Sequence, residues 1–199
     1  DCSKDNTKKI VEDLLIKYPK LSLINNEKNL GKASSLNKAW ETLDSELVAV
    51  VDADSFPKED ALKKMIGYFD NEKVGAVTCP ILVKNKINFW SRLQSIEYIT
   101  ISLGRKLLEY IDAIYVTPGP LAIYRKKALE DINGFDEKNL TEDIEATWHL
   151  AYNGWDRKMS LSTGVLSKVP TKIKPWFIQR RRWNIGGLQC IKKYKNVIG

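Results

Sequence analysis

The sequence predicts an α/β fold with a mostly parallel central sheet flanked by helices. Short apolar strands alternate with amphipathic helices over residues 1–80, which is typical of a parallel sheet covered by helices. The chain has 199 residues, 43% of them apolar, so it can bury the core of one domain. No repeat or low-complexity tract interrupts it, and disordered and fibrous classes are excluded.

Hydrophobic spacing predicts the elements in order. Apolar side chains recur at helical spacing until Pro19 ends the first pattern. Pro175 stands in the first turn of a last helix, where proline is tolerated. The first predicted helix covers 7–18, and the helices between it and the last cover 32–41, 60–69, 89–110 and 142–152. The predicted strands cover 21–24, 47–51, 75–78 and one or two segments of 159–169.

The chain begins with an aspartate in a turn-like segment, before any strand is formed. We therefore expect the N-terminal strand of the fold to be missing from this sequence. No apolar run approaches the roughly 20 residues of a spanning helix, so any membrane anchor is expected outside it. Cys2, Cys79 and Cys190 lack the spacing of a zinc motif or a disulfide framework, which favours a reducing, cytoplasmic setting.

Positive charge is concentrated at the C-terminal end. Residues 157–199 carry 11 basic and no acidic side chains, whereas residues 1–156 carry 21 basic and 25 acidic ones. Such a segment suits a phosphate group on a nucleotide, a lipid headgroup or a nucleic acid. A solvated helix face explains Lys192, Lys193 and Lys195 equally well.

Two aspartates, Asp52 and Asp54, directly follow the apolar strand predicted over 47–51. Ligands of open α/β sheets bind beyond the carboxyl ends of strands, so both carboxylates are predicted to face a cleft. Hard oxygen ligands at this spacing suit Mg²⁺ or Mn²⁺, which can bridge nucleotide phosphates and neutralise a departing diphosphate. The alternative is an ordinary turn at the end of a strand.

The segment Thr141-Glu142-Asp143 stands at the start of the helix predicted over 142–152. The free amides and the dipole of a helix N-terminus stabilise carboxylates, so helix capping alone explains this composition. The functional alternative is a general base, because a carboxylate beside a cleft can take a proton from an attacking hydroxyl.

Gln179, Arg182 and Trp183 have the i, i+3 and i+4 spacing that places side chains on one face of the last helix. An arginine and an amide can grip a diphosphate, and an indole offers a surface for a sugar ring. Arg180 and Arg181 are expected to point elsewhere, toward membrane phosphates. The alternative is a surface helix whose tryptophan packs inward.

Six segments, taken in order, resemble the signature of the family 2 glycosyltransferases of GT-A fold. They are DCSKDNT, NLGKASSLN, VVDADS, TPGPLAIYRKKAL, INGFDEKNLTEDIEATWHLAYNGW and QRRRW. The likeness is strongest to the processive branch that includes cellulose, chitin, hyaluronan and poly-N-acetylglucosamine synthases. Each segment alone is a weak signal, but the ordered set covers nearly the whole chain. Cys2 departs from the pattern, because the family often has glycine there.

On the donor side, the resemblance implies that Asp1 contacts the nucleoside and that Lys32 helps to frame the base and the diphosphate. It implies that Asp52 and Asp54 hold the nucleotide and a Mg²⁺ or Mn²⁺ ion. The donor would be a nucleotide-diphospho-sugar, and a UDP-sugar by the habit of the family.

On the acceptor side, the resemblance implies an inverting single displacement in which Asp143 removes the proton of the attacking hydroxyl. Gln179 and Arg182 would lie near the pyrophosphate and Trp183 near the acceptor sugar, on an interfacial helix. The acceptor would be a growing polysaccharide or a lipid-linked sugar. No covalent sugar–enzyme intermediate is expected.

The resemblance also implies a catalytic domain on the cytoplasmic side of the cell membrane, with the basic C-terminal region on the membrane surface and no nucleic-acid partner. Within one domain we expect a nucleotide-binding half over 1–80, an acceptor and catalytic half over 81–170 and an interfacial region over 171–199. Three other functions stay open: transfer of a single sugar to a lipid carrier or glycolipid, a phosphate or nucleic-acid binding module, and a non-catalytic partner subunit.

Overall fold

The computed structural model describes residues 1–195. The chain forms two compact units, the first covering Asp1–Asp44 and the second beginning at Ser45. The first unit contains α1 (Thr7–Lys17) and α2 (Lys32–Glu41), and both helices were predicted. The strand predicted over 21–24 is wrong. A strand needs a hydrogen-bonded neighbour, and none of the described residues pairs with this segment.

The second unit contains seven strands and five α-helices within its described residues. The strands are β1 (Leu47–Val50), β2 (Ser55–Pro57), β3 (Val74–Thr78), β4 (Ile81–Val83), β5 (Ala122–Arg125), β6 (Asp156–Met159) and β7 (Val165–Ser167). The helices are α3 (Ala61–Ile66), α4 (Phe89–Glu109), α5 (Lys126–Asp131), α6 (Glu142–Tyr152) and α7 (Ile173–Lys193). A 3₁₀ turn over Gly67–Asp70 ends the helical segment that was predicted over 60–69.

The central sheet has four strands in the order β1-β5-β3-β6. Strands β1, β3 and β6 run in one direction, so the mostly parallel sheet is confirmed, but β5 runs antiparallel to both of its neighbours. A second sheet has three strands in the order β2-β7-β4. The main apolar core lies between α3 and the central sheet and includes Met65, Val77, Leu121 and Ile123.

Helix α4 has an unusual distribution of side chains. Its buried positions are largely polar: Ser91, Gln94, Tyr98, Ser102 and Arg105. Large apolar side chains are instead exposed along its length, among them Phe89, Leu93, Ile96, Leu103 and Leu107. In the described part of the chain, no helix has both the length and the apolar character needed to span a bilayer.

Candidate active site

The carboxyl ends of the three parallel strands meet at one edge of the central sheet. Val50 and Thr78 both lie opposite Ala122, and Thr78 also pairs with Met159. From this edge each strand continues into the second sheet, as β1 leads to β2, β3 to β4 and β6 to β7. The predicted ligand-binding edge of the sheet is therefore formed by three strand-to-strand connections and by the segment before β5.

Asp52 and Asp54 lie in the connection between β1 and β2. Asp52 to Ser55 form a turn that is closed by a hydrogen bond of 2.9 Å from the Ser55 amide to the Asp52 carbonyl oxygen. Asp52 is half-buried and Asp54 is exposed. The Ser55 hydroxyl donates a long hydrogen bond of 3.5 Å to Asp54 Oδ1. The segment is thus both a strand-end turn and a part of the candidate site edge.

The donor atoms in this turn fit a divalent cation that also binds phosphate. Among residues 1–195, no group of three or more His, Cys, Asp and Glu side chains could hold a metal ion by itself. Mg²⁺ needs about six oxygen ligands and is commonly held by one or two carboxylates together with water and substrate phosphates. Asp52 and Asp54 supply such carboxylates, and a diphosphate would supply further oxygens.

Asp143 lies in the first turn of α6 and reaches the same sheet edge. The Gly119 amide donates to Asp143 Oδ2 at 3.2 Å, and the Ile144 amide donates to Oδ1 at 2.9 Å. Gly119 belongs to the Pro118-Gly119-Pro120 segment just before β5, so the bond connects α6 to the end of β5 at which Ala122 lies. Amide donors and the helix N-terminus favour the ionised carboxylate.

A buried tyrosine of β5 lies in the hydrogen-bonded region between the segment before β5 and α6. Burial raises the pKa of Tyr124, and the negative charges of Asp143, Glu142 and Asp52 act in the same direction. The Tyr124 hydroxyl lies 3.0 Å from Thr117 Oγ1, within the segment before β5. By position, Asp52 follows the end of β1 where Val50 lies opposite Ala122, and Asp143 is bonded to Gly119, three residues before Ala122. The roles of both aspartates stay predictions.

Sequence reasoning missed two threonines that fix this region. Thr117 Oγ1 and Thr147 Oγ1 lie 2.8 Å apart, and the Thr117 amide donates to Thr147 Oγ1 at 2.8 Å. Thr147 Oγ1 in turn donates to the Asp143 carbonyl oxygen at 2.6 Å. Two weak signals could have indicated them. Thr117 lies in the TPGP segment, and Thr147 follows Asp143 by the four residues that place two side chains on one face of a helix.

Thr141 is not the side-chain cap that its position suggested. It occupies the N-cap position of α6, but its side chain makes no capping hydrogen bond. Its hydroxyl donates instead to Asn139 Oδ1 at 3.2 Å, and its side chain packs on Gly186 of α7. The Leu140 amide also donates to Gln189 Oε1 of α7 at 3.1 Å. These contacts join α7 to the segment that carries Asp143.

The three motif residues of α7 differ in their surroundings. Gln179 and Trp183 are half-buried, whereas Arg182 and Arg181 are exposed. The expectation that Arg180 points away is wrong: its side chain is 13% exposed and binds Glu97 of α4. The reason is that α4 packs beside α7 and supplies the acidic partner. The grouping of Arg182 with Asp54 and Asp143 stays a prediction.

Trp183 is half-buried, so it packs partly inward, as the alternative interpretation of this helix expected, and part of its surface stays accessible. It contacts a small buried cluster of Val83, Tyr98 and Val169. Burial raises the pKa of Tyr98, and the charges of Glu97 and Asp54 act in the same direction.

In the first unit, the Asp1 carboxylate holds the segment that precedes α2. It accepts hydrogen bonds of 2.9 Å from the amides of Leu30 and Gly31. A cavity of about 260 Å³ lies beside it. Cys2 has φ 53°, so the turn keeps the left-handed geometry that glycine adopts more easily. Lys32 is exposed at the start of α2. The predicted nucleoside and diphosphate contacts of Asp1 and Lys32 stay predictions.

Curated relatives support the resemblance along nearly the whole chain. β-Monoglucosyldiacylglycerol synthase of Trichormus variabilis is 31% identical over 202 residues, covering 100% of this chain and 43% of that protein. Poly-β-1,6-N-acetyl-D-glucosamine synthase of Staphylococcus epidermidis is 33% identical over 194 residues, covering 96% of this chain and 47% of that protein. The chain thus spans less than half the length of the curated relatives it matches.

Solved structures show the same fold. The mannosyltransferase PcManGT from Pyrobaculum calidifontis, in complex with GDP-Man and Mn²⁺, has a TM-score of 0.75 at 23% identity, over 96% of this chain and 52% of that chain. Staphylococcus aureus TarS, residues 1–349, has a TM-score of 0.60 at 21% identity, over 84% of this chain and 49% of that chain. The predicted GT-A fold is confirmed.

The match to a family model agrees with the order of the motifs. The model of glycosyl transferase family 2 matches residues 1–133, which include the Asp52–Asp54 turn and the Gly119 segment. Because this match covers more than half of the sequence, the chain belongs to glycosyltransferase family 2.

Proposed function

We propose that this chain transfers a sugar from a nucleotide-diphospho-sugar, a UDP-sugar, to a growing polysaccharide or a lipid-linked acceptor with inversion at the sugar carbon. The observation that carries this proposal is the position of two aspartates: Asp52 follows the end of β1 where Val50 lies opposite Ala122, and Asp143 is bonded to Gly119, three residues before Ala122. The relatives named above are a polysaccharide synthase and a glycolipid synthase, which supports both kinds of acceptor.

Asp143 is proposed as the general base. Its carboxylate is held by the Gly119 and Ile144 amides, which fix its orientation and favour the ionised form that can accept a proton. The acceptor hydroxyl attacks the sugar carbon as its proton moves to Asp143, and the bond to the diphosphate breaks in the same step. No covalent bond forms between the sugar and the protein.

Asp52 and Asp54 are proposed to hold a Mg²⁺ or Mn²⁺ ion together with the diphosphate. The ion would neutralise the negative charge that develops on the leaving diphosphate. The Mn²⁺ in the PcManGT complex supports this proposal, because that protein shares the fold. On the protein side, the turn presents its carboxylates beyond the end of β1.

The remaining motif residues are proposed to bind the substrates. Asp1 and Lys32 would contact the nucleoside and diphosphate, Gln179 and Arg182 the pyrophosphate, and Trp183 the acceptor sugar. The division into a nucleotide-binding half over 1–80, an acceptor half over 81–170 and an interfacial region over 171–199 follows these roles. The basic C-terminal region would lie on the cytoplasmic membrane surface.

Donor binding with and without metal tests the metal proposal. We expect calorimetry to detect a nucleotide-diphospho-sugar that binds in the presence of Mn²⁺ and more weakly when the metal is chelated. Asp54→Ala should lower the metal-dependent affinity about tenfold or more, which corresponds to at least about 1.4 kcal/mol. Asp44→Ala, at an exposed carboxylate outside every motif, should leave it unchanged. Metal-independent binding that weakens steeply with salt would instead support the phosphate-binding alternative.

Turnover of an Asp143→Asn variant tests the base. Asparagine keeps the size of the side chain but cannot take the proton, so kcat should fall by about 10²- to 10⁴-fold. Donor affinity should stay the same, because the donor is bound before the proton moves. Unchanged turnover would remove Asp143 as the base.

Mass analysis of the products of the unaltered protein shows whether one sugar or many are added.

A further inference from the structure

Arg180 lies at the centre of a cluster formed by α4 and α7. Its guanidinium carbon is 4.2 Å from the centre of the Trp183 ring and 5.6 Å from the rings of Tyr98 and Trp176. The side chain is 13% exposed, so most of it is removed from water. Three aromatic rings therefore surround one planar cation, an arrangement that favours arginine over lysine.

Glu97 fixes the position of this guanidinium. Arg180 Nε donates to Glu97 Oε1 at 2.9 Å, and Arg180 Nη2 donates to Glu97 Oε2 at 2.5 Å. Two parallel hydrogen bonds to one carboxylate restrain both the distance and the plane of the guanidinium. Because Glu97 is on α4 and Arg180 is on α7, the pair links the two helices.

The remaining contacts of Arg180 lead to the motif residues next to it. Arg180 Nη1 donates to Gln179 Oε1 at 2.6 Å, which restrains the amide group of Gln179. The guanidinium also lies over the Trp183 ring. One side chain, anchored on α4, thus contacts two of the three motif residues to which the proposed function assigns substrate contacts.

We infer that Arg180 is a positioning residue, which holds Gln179 toward the diphosphate and Trp183 toward the acceptor sugar through its anchorage on Glu97. This inference rests on the proposed function, because it needs Gln179 and Trp183 to contact substrate. The Arg180 guanidinium is bonded to Glu97 and Gln179 and surrounded by rings, so the role inferred for it is indirect. A displacement of about 1 Å at a substrate-positioning group can cost about a hundredfold in rate.

Three variants separate positioning from simple stabilisation. Arg180→Met removes the positive charge and the paired N–H donors of the guanidinium. We expect kcat to fall about tenfold to a hundredfold and Tm to fall as well. Arg180→Lys keeps an ion pair with Glu97 but loses the planar guanidinium and its paired donors. Most of the Tm lost in Arg180→Met should therefore be restored, while kcat stays low. The exchange Glu97→Arg with Arg180→Glu should likewise restore Tm but not kcat, because it moves the guanidinium to α4.

A double-mutant cycle tests whether Arg180 acts through Trp183. Trp183→Ala should lower kcat by itself. Adding Arg180→Met to Trp183→Ala should cost much less than the same change in the unaltered protein, because the two residues act together. Arg92→Met is the matched control, since Arg92 is an exposed arginine on α4 and its removal should change neither Tm nor kcat.

The outcomes that overturn the inference differ from those that overturn the proposed function. If Arg180→Lys or the exchanged pair regains kcat together with Tm, the Glu97–Arg180 pair only stabilises the fold. Equal costs of Arg180→Met with and without Trp183 would show that Arg180 acts independently of it. If Trp183→Ala is impaired but Arg180→Met is not, the inference alone fails. Normal turnover of Trp183→Ala would remove Trp183 from the proposed site, and the inference with it.

Discussion

At the residue scale, Arg105 is a buried cation, and two of its nitrogen atoms lack a hydrogen-bond partner among the described residues. It is 3% exposed on α4, and the two atoms are Nε and Nη1. Burial lowers the pKa of Arg105, while the negative charge of Asp143 acts in the opposite direction. A buried donor without a partner costs about 1–3 kcal/mol of stability, and more when it is charged.

Replacing Arg105 by Met should therefore stabilise the fold. Methionine has a similar length and fills the space without a charge or an unpaired donor, so the exchange should recover about 1–3 kcal/mol. For a chain of this size each kcal/mol corresponds to about 2–4 °C in Tm. We expect thermal unfolding of Arg105→Met to show a rise of several degrees.

The adjacent residue provides a control of opposite sign. Lys106 Nζ bonds Glu109 Oε2 and the Met159 carbonyl oxygen, both at 2.9 Å. Lys106→Met should lower Tm, because it leaves the largely buried Glu109 carboxylate without this cation. A fall in Tm for Arg105→Met would show that its guanidinium is paired in solution, contrary to the structure.

The sequence predicted site residues where chemistry is local and missed those whose role depends on another element. Asp52 and Asp54 follow a strand and Asp143 begins a helix, as the sequence predicted, and their roles stay proposals. Arg180 was misplaced because its partner Glu97 lies on α4, far away in sequence. Nothing near Thr147 indicates that α6 brings its hydroxyl to the Thr117 amide.

At the element scale, α7 is held against the segment that begins α6 by a close contact at Gly186. A Cβ atom on Gly186 would lie 1.9 Å from Thr141 Oγ1 and 2.8 Å from Thr141 Cβ. No side chain fits there unless Thr141 moves. Because Asp143 lies two positions after Thr141, α7 and the proposed base share this contact.

Gly186→Ala should displace the start of α6. Overpacking of this kind costs about 1–3 kcal/mol, more than the roughly 1 kcal/mol that alanine returns through helix propensity. We expect a lower Tm and, because the displaced segment carries Asp143, a lower kcat. Thermal unfolding and initial rates measured on the same preparation would show both effects.

The next glycine in the same helix is the control. A Cβ on Gly187 would meet no atom within 4 Å, so Gly187→Ala should only improve helix propensity. Its Tm should rise by a few degrees, the equivalent of about 1 kcal/mol, with kcat unchanged. If both alanine variants behave alike, the contact between Gly186 and Thr141 does not hold α7 in place.

Helix boundaries were predicted better than strand partners for a physical reason. The periodicity that gave α2 over Lys32–Glu41 and α6 over Glu142–Tyr152 is contained in each helix itself. A strand depends on its neighbours, so the predicted strand over 21–24 failed without a partner. The same limit applies to β5, whose antiparallel direction is set by pairing with β1 and β3.

At the scale of the whole molecule, basic and exposed apolar side chains occur together where α4 and α7 begin. The two starts are adjacent, because Asn88 Nδ2 donates to the Thr171 carbonyl oxygen at 2.8 Å. Phe89 and Phe177 are 72% and 59% exposed, and Lys172 and Lys174 are exposed beside them. Aromatic side chains next to lysines favour the interface of a membrane with anionic lipids.

We therefore expect the protein to bind vesicles that contain phosphatidylserine more tightly than vesicles of phosphatidylcholine alone, and less tightly as salt is raised. Each lysine near an anionic surface contributes about 1 kcal/mol, so Lys172→Gln with Lys174→Gln should weaken vesicle binding roughly tenfold or more in a sedimentation assay. Lys4→Gln with Lys9→Gln removes the same charge from exposed positions of the first unit and should have little effect. Equal weakening by both pairs of substitutions would mean that net charge alone drives binding. Tighter binding to duplex DNA than to anionic vesicles would favour the nucleic-acid alternative over a membrane surface.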